Sequence, residues 1–78
     1  MQELIEYIAR SLVDNPDQVQ VYQSRRGADL DVRLEVAKED MGRIIGKSGR
    51  VANAMRLLLR VAAAREGKRA ALEILEPR

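Results

Sequence analysis

The chain has no cysteine and no histidine among its 78 residues. Without cysteine there is neither a disulfide framework nor a thiolate metal site, and without histidine the commonest metal ligand and general base is missing. Enzymatic chemistry would have to run on carboxylates, lysine or serine alone, so no enzyme activity, metal or cofactor is expected. Phenylalanine and tryptophan are also absent, and Tyr7 and Tyr22 are the whole aromatic complement. Most single-strand nucleic-acid binders stack bases on aromatic rings, which disfavours an RNA-recognition-motif sheet or a cold-shock barrel. No apolar run approaches the roughly eighteen residues of a membrane span. Glu3 and Glu6 interrupt the apolar pattern at the N-terminus, so no signal peptide is expected either, and the expected location is cytoplasmic. The length allows one domain, residues 1–78, with a modest core and no large substrate cleft.

What is present is unevenly charged. Net charge is +2, but residues 38–69 hold nine Lys and Arg against Glu39, Asp40 and Glu66, a local balance of +6 against −4 for the rest. A basic half fits a polyanion partner better than a uniformly solvated surface does.

The apolar spacing gives the elements. Leu4, Ile5, Ile8, Ala9, Leu12 and Val13 recur at helical spacing, and Pro16 ends that helix by pushing Asn15 out of helical geometry. Val19 and Val21 alternate with Gln20 and Tyr22, the chain turns at Gly27, and Leu30, Val32, Leu34 and Val36 alternate with Asp31, Arg33 and Glu35. This predicts a hairpin of strands 18–26 and 29–37. A short helix from Lys38 to Ile45, a long one from Arg50 to Arg65 stopped by Gly67, and a last strand over 69–76 complete the pattern. A strand returning after two helices joins its neighbour in parallel through a right-handed crossover. Strand 29–37 is therefore placed centrally, antiparallel to 18–26 and parallel to 69–76, with three helices on one face.

Between the two later helices lies Gly46-Lys47-Ser48-Gly49. The helix that follows begins Arg50, Val51, Ala52, Asn53 with Lys47 just before it, so cations stand where the helix dipole already repels them and no acid compensates. Such local violations mark functional sites. Gly46 can take a positive φ and Gly49 allows close approach of a ligand backbone, so N–H groups and Lys47 converge on a phosphate. Taken alone, the same four residues also read as an ordinary turn between helices. Gly42, Gly46, Lys47 and Ser48 nearly spell a nucleotide-binding G-x-x-x-x-G-K-S loop, but the spacing is one residue short and a helix rather than a strand precedes it. Arg56 and Arg60 are assigned as secondary phosphate contacts.

This element order, with the Gly loop between two helices and Ile44 and Ile45 just before it, resembles a KH domain of the type II, bacterial topology. The run from Asp40 to Arg60, including Gly42, Arg43, Ile44, Ile45, Gly46, Lys47, Gly49, Arg50 and Arg56, is similar to the KhpA family of small bacterial single-KH proteins. The resemblance covers nearly the whole chain and implies an α+β fold of order α-β-β-α-α-β. It also implies that Gly46, Lys47, Ser48 and Gly49 clamp the backbone of about four nucleotides. The bases would lie in an aliphatic groove involving Ile44 or Ile45, the helix residues Arg50, Asn53 and Ala54, and the last strand near Lys68 and Arg69. A groove that grips bases with aliphatic side chains does not need the missing aromatics. The short Glu66–Arg69 connection leaves that groove open, so weak sequence discrimination is expected. As partners the resemblance implies single-stranded RNA, a second copy of the chain, and a larger KH-domain protein, in a role of post-transcriptional regulator or RNA chaperone. A docking or dimerisation subunit with weak nucleic-acid binding, single-stranded DNA included, is the alternative.

Dimerisation also has a residue-level argument. Leu57, Leu58 and Leu59 span roughly 200° of a helix, more than one core can bury. The stripe Val51, Ala54, Met55, Leu58, Val61, Ala62 is expected to face the core, leaving Leu57 or Leu59, helped by Ala52, Ala63 or Ala64, on an associating flank, with Leu58 itself at the interface if the register differs by one position.

Overall fold

Leu30, Val32 and Leu34 alternate with charged residues, and this period of two makes the strand β2 (Asp29–Glu35), whose apolar positions are buried. The structure, a computed structural model, describes residues 1–76. Strand β1 (Gln20–Arg26) pairs antiparallel to β2 with Val21 opposite Leu34, and β3 (Arg69–Leu75) pairs parallel to it with Leu72 opposite Val32. The sheet order is β1-β2-β3, as the sequence predicts. Helices α1 (Gln2–Leu12), α2 (Met41–Ile45) and α3 (Arg50–Arg65) complete an α+β domain with a three-stranded mixed sheet. No helix among the described residues is long and apolar enough to cross a membrane.

The core forms where Ile5 and Ala9 of α1, Ile44 of α2, and Met55 and Leu59 of α3 meet Val32, Leu34 and Leu72 of the sheet. The opposite sheet face is open to solvent. Arg33 pairs there with Glu73 at 3.5 Å and Arg69 with Asp29 at 3.0 Å, exposed pairs of the kind worth at most about 1 kcal/mol each.

Strand β2 ends at Glu35 rather than 37 and β3 at Leu75 rather than 76, and two element starts also differ from the sequence reading. Pro16 opens a 3-10 turn over Pro16–Gln18, so β1 begins at Gln20 rather than 18. The helix expected from Lys38 starts as a second 3-10 turn, Lys38–Asp40, and becomes α-helical only at Met41.

Asp40 explains that turn. Its carboxylate is buried and accepts hydrogen bonds from the Asp14 N–H, the Asn15 N–H and Asn15 Nδ2, each at 3.0 Å. It thereby ties the chain leaving α1 to the start of α2. The Asp14 N–H bond, with the Asn15 bonds and the Arg43 charge, holds the Asp40 pKa below its ordinary value, against the opposing effect of burial. A carboxylate whose pKa is lower folded than unfolded contributes stability above the unfolded pKa, which is lost as pH falls through the folded pKa. Asp40→Asn is therefore expected to lower the melting temperature at neutral pH and to flatten its fall as pH drops through and below the ordinary carboxylate range. Parallel acid limbs for the two proteins in a pH series of thermal melts would contradict this role.

The core face of α3 is a correction. Buried positions are Ala52, Met55, Leu59 and Ala63, whereas Leu58 and Val61, expected inside, are 49% and 48% exposed. Leu59, grouped with the interface leucines, is fully buried and belongs to the core, as do Ala52 and Ala63, expected beside it on that flank. Rotating the expected stripe by about one residue step, roughly 100°, gives the observed one.

Candidate nucleic-acid interface

Helix α2 ends because Gly46 adopts φ 75°, ψ 176°, with its N–H bonded to the Gly42 carbonyl at 2.9 Å. No other residue fits: a Cβ at Gly46 would overlap the Val51 side chain and stand 2.9 Å from the Val51 nitrogen. Ser48 follows at φ 58°, ψ 27°, and among the described residues it is the one non-glycine with positive φ. That conformation costs roughly 1–2 kcal/mol for an L-residue, a kind of strain that collects at ligand-binding loops. Gly49, at φ 76°, is the N-cap of α3, so the helix starts with no capping side chain and no acid in its first turn.

The loop is thus pinned at both ends by glycines and exposed in the middle. Lys47, Ser48 and Arg50 are exposed, and among the described residues neither Lys47 nor Arg50 makes an ion pair. A tight backbone turn feeding an uncapped helix start, with two free cations beside it, is an arrangement suited to an anion with several oxygens, such as a phosphodiester.

Around the loop the sequence-predicted residues separate. Ile45 is 40% exposed and borders the loop, but Ile44 is fully buried and acts as the anchor of α2 in the core rather than as a contact. Asn53 and Ala54 are exposed on the first turns of α3, as a contact role requires. Arg56 is half-buried: its Nε donates to the Leu72 carbonyl at 3.3 Å and its Nη1 to Asn53 Oδ1 at 3.3 Å. With Arg60, Ala70, Ala71 and Leu72 it lines a shallow groove of about 160 Å³ between α3 and the edge of β3.

Lys68 and Arg69 are not brought to the loop. They follow the C-terminal end of α3, whose 16 residues span about 24 Å, and the Arg69 guanidinium is turned to Asp29. The strand that returns from a helix begins where the helix ends, so the part of β3 nearer the loop is its later part. Leu72, whose backbone faces Arg56, was missed for that reason; the element order held the signal. A larger hollow of about 340 Å³ lies at the far end of the sheet beside Arg26, Asp29, Asp31 and Arg69. Its charges are of mixed sign, and it offers no convergent anion site.

The family model described as KhpA/KhpB, KH domain, matches residues 2–74. A protein of Clostridium acetobutylicum named RNA-binding protein KhpA is 48% identical over 75 residues, 96% of this chain and all of that one. The protein of the same name from Treponema pallidum is 50% identical over 76 residues, 96% of this chain and 94% of that one. The one from Listeria monocytogenes is 43% identical, covering 97% of this chain and all of its own. Among solved structures, Era in complex with MgGDPNP and nucleotides 1506-1542 of 16S ribosomal RNA aligns with a TM-score of 0.57 at 19% identity. That likeness covers 96% of this chain and 29% of the Era chain, and it concerns the fold.

Proposed function

Since the chain belongs to the KhpA/KhpB family of KH domains, we propose that it binds single-stranded RNA by clamping the phosphodiester backbone in the Gly46–Gly49 loop. The observation that carries this reading is the loop itself. Exposed Lys47 and Ser48 stand between two positive-φ glycines, before a helix with no cap and no acid. Backbone amides and Lys47 hold a phosphate, Arg50 and Asn53 extend the contact along α3, and the bases enter the groove between α3 and β3 with Ile45 at its near end. Recognition of this kind is mostly electrostatic and tolerant of sequence. The protein acts as an RNA chaperone or post-transcriptional regulator, as a homodimer or with a larger KH-domain partner.

A second reading, a docking subunit with weak nucleic-acid binding, is favoured by one observation. Leu57, Leu58 and Val61 form an apolar strip on α3, exposed by 59%, 49% and 48%.

Salt titration tests the first reading. If the loop and helix cations neutralise about two to four phosphates, log affinity for a short single-stranded RNA falls against log salt with a slope between roughly −1.4 and −2.8. A slope near zero would mean that the basic surface is not the contact.

A further inference from the structure

We infer that the outer edge of β1 takes an extended acidic peptide from a protein partner as a fourth strand of the sheet. Backbone geometry defines the edge. Gln2 Nε2 donates to the Val21 carbonyl at 3.0 Å, so that carbonyl points away from β2. Polar groups alternate sides along an antiparallel strand, and β1 pairs with β2 without a bulge from Gln20 to Arg26. The N–H and C=O of Gln23 and Arg25 therefore point outward, while those of Tyr22, Ser24 and Arg26 face β2. Among the described residues nothing bonds to the outward groups of Gln23 and Arg25.

The two edges of the sheet are not equivalent. On β3 the Leu72 carbonyl is covered by Arg56. On β1 the stretch from Tyr22 to Arg26 is exposed throughout, and it contains neither proline nor bulge, two of the devices that blunt an edge. Its only charges are Arg25 and Arg26, and these select the partner. Neither makes an ion pair among the described residues, and no acid stands between Asp17 and Asp29. A second copy would bring its own two arginines to the seam, whereas a peptide with carboxylates opposite them gains cross-strand pairs. A nucleic-acid strand fits less well: phosphates offer no alternating donors and acceptors, and Asp29 and Asp31 stand opposite Arg26 and Ser24.

An antiparallel newcomer exchanges both backbone bonds with Gln23 and again with Arg25. Read from its N-terminus it meets Arg26, Arg25, Ser24, Gln23 and Tyr22, so the fitting order is acid, acid, any, any, apolar, with the apolar residue beside the exposed Tyr22 ring. The hairpin turn lies at the end of the domain where α3 finishes, since the Arg69 N–H bonds to the Ala28 carbonyl at 2.9 Å. The length of α3, about 24 Å, separates it from the Gly loop. RNA and peptide can therefore be held at once.

The test titrates the labelled protein with the peptide Ser-Glu-Glu-Thr-Thr-Val-Ser, its Lys-Lys counterpart, and a form N-methylated at the second Thr. Affinity is read by calorimetry and contacts by amide shifts and hydrogen exchange. The Glu-Glu peptide is expected to bind about tenfold or more tighter than the Lys-Lys one, and to protect the Gln23 and Arg25 amides while leaving Tyr22 and Ser24, already bonded to β2, little changed. N-methylation, which leaves the protein untouched, should abolish binding. In Arg25→Glu/Arg26→Glu, checked for fold by circular dichroism, the preference should reverse to the Lys-Lys peptide. No binding, equal affinity for the two peptides, or binding that survives N-methylation overturns the assignment. So does protection at Gly46 to Gly49 in place of Gln23 and Arg25, which would make the peptide an anion held by the loop. A single-stranded RNA that protects Gln23 and Arg25 would overturn it too, giving the edge to nucleic acid.

Discussion

Replacing Lys47 and Ser48 together by Asp is expected to abolish RNA binding while leaving the fold intact. The loop charge moves from +1 to −2 at its most exposed point. Three unit charges at about 4 Å from a phosphate amount to roughly 3 kcal/mol even at the dielectric of water, about a hundredfold in Kd or more. Stability is spared for two reasons. Neither side chain is buried, and exposed substitutions usually change stability by less than about 0.5 kcal/mol. Position 48 sits at φ 58°, and Asp is among the residues that tolerate the left-handed region best. Unchanged thermal melts beside an RNA titration that no longer saturates are the expected pair of results. A folded variant that binds as before would remove the loop from the mechanism.

The second large effect concerns self-association. Ala54, Leu57, Leu58 and Val61 follow an i, i+3, i+4, i+7 spacing on the solvent side of α3, and all four are exposed. A two-fold pair would bring this strip against its own copy and present two Gly loops to one RNA strand, raising avidity without new contacts. Leu58→Lys is expected to give a monomer that melts like the wild type, with the dimer Kd raised by about a hundredfold or more. Covering a half-exposed leucine contributes roughly 1 kcal/mol per copy, and an ammonium at the seam adds a desolvation cost. Residues 50–65 include Arg50, Arg56, Arg60 and Arg65 and no acid, so pairing two such helices brings like charges together. Added salt should therefore tighten the dimer while it weakens RNA binding. Light scattering at several protein and salt concentrations checks both; a wild-type monomer at high micromolar concentration would end the dimer proposal. Leu59→Lys is not an informative variant, since it would place the charge in the core.

The register of α3 shows where sequence reasoning loses its footing. Strand β2 was legible because its alternation admits one solution: Leu30, Val32 and Leu34 inside, charges outside. In α3 two apolar stripes satisfy helical spacing, the buried Ala52-Met55-Leu59-Ala63 and the expected Val51-Ala54-Met55-Leu58-Val61-Ala62. Polarity pointed to the wrong one. Asn53, Arg56 and Arg60 look like the back of the helix, yet they lie along its flank, with Arg56 bonded to the edge of β3. Treating a flank as the back rotates the inferred core by roughly a quarter turn. The Gly loop was legible because both glycines and the misplaced cations are local features. Ile44 was not separable from Ile45, since neighbouring helical residues differ by about 100° and only packing decides which turns inward. Locally, Asp40 is only an acid in the first turn of a short helix, where the dipole favours one; that it receives the chain leaving α1 is tertiary information that no local pattern contains.

The claim on which everything else depends is that RNA meets the loop and the adjoining flank of α3. Backbone amide chemical shifts, followed while a short single-stranded RNA is added to the labelled protein, test it most directly. The account predicts the largest changes at Gly46, Lys47, Ser48, Gly49, Arg50 and Asn53, smaller ones near Arg56 and Leu72, and none at Tyr22, Arg33 or Glu73 on the open sheet face. Saturable shifts on that sheet face or along α1, with the loop amides unmoved, would contradict it.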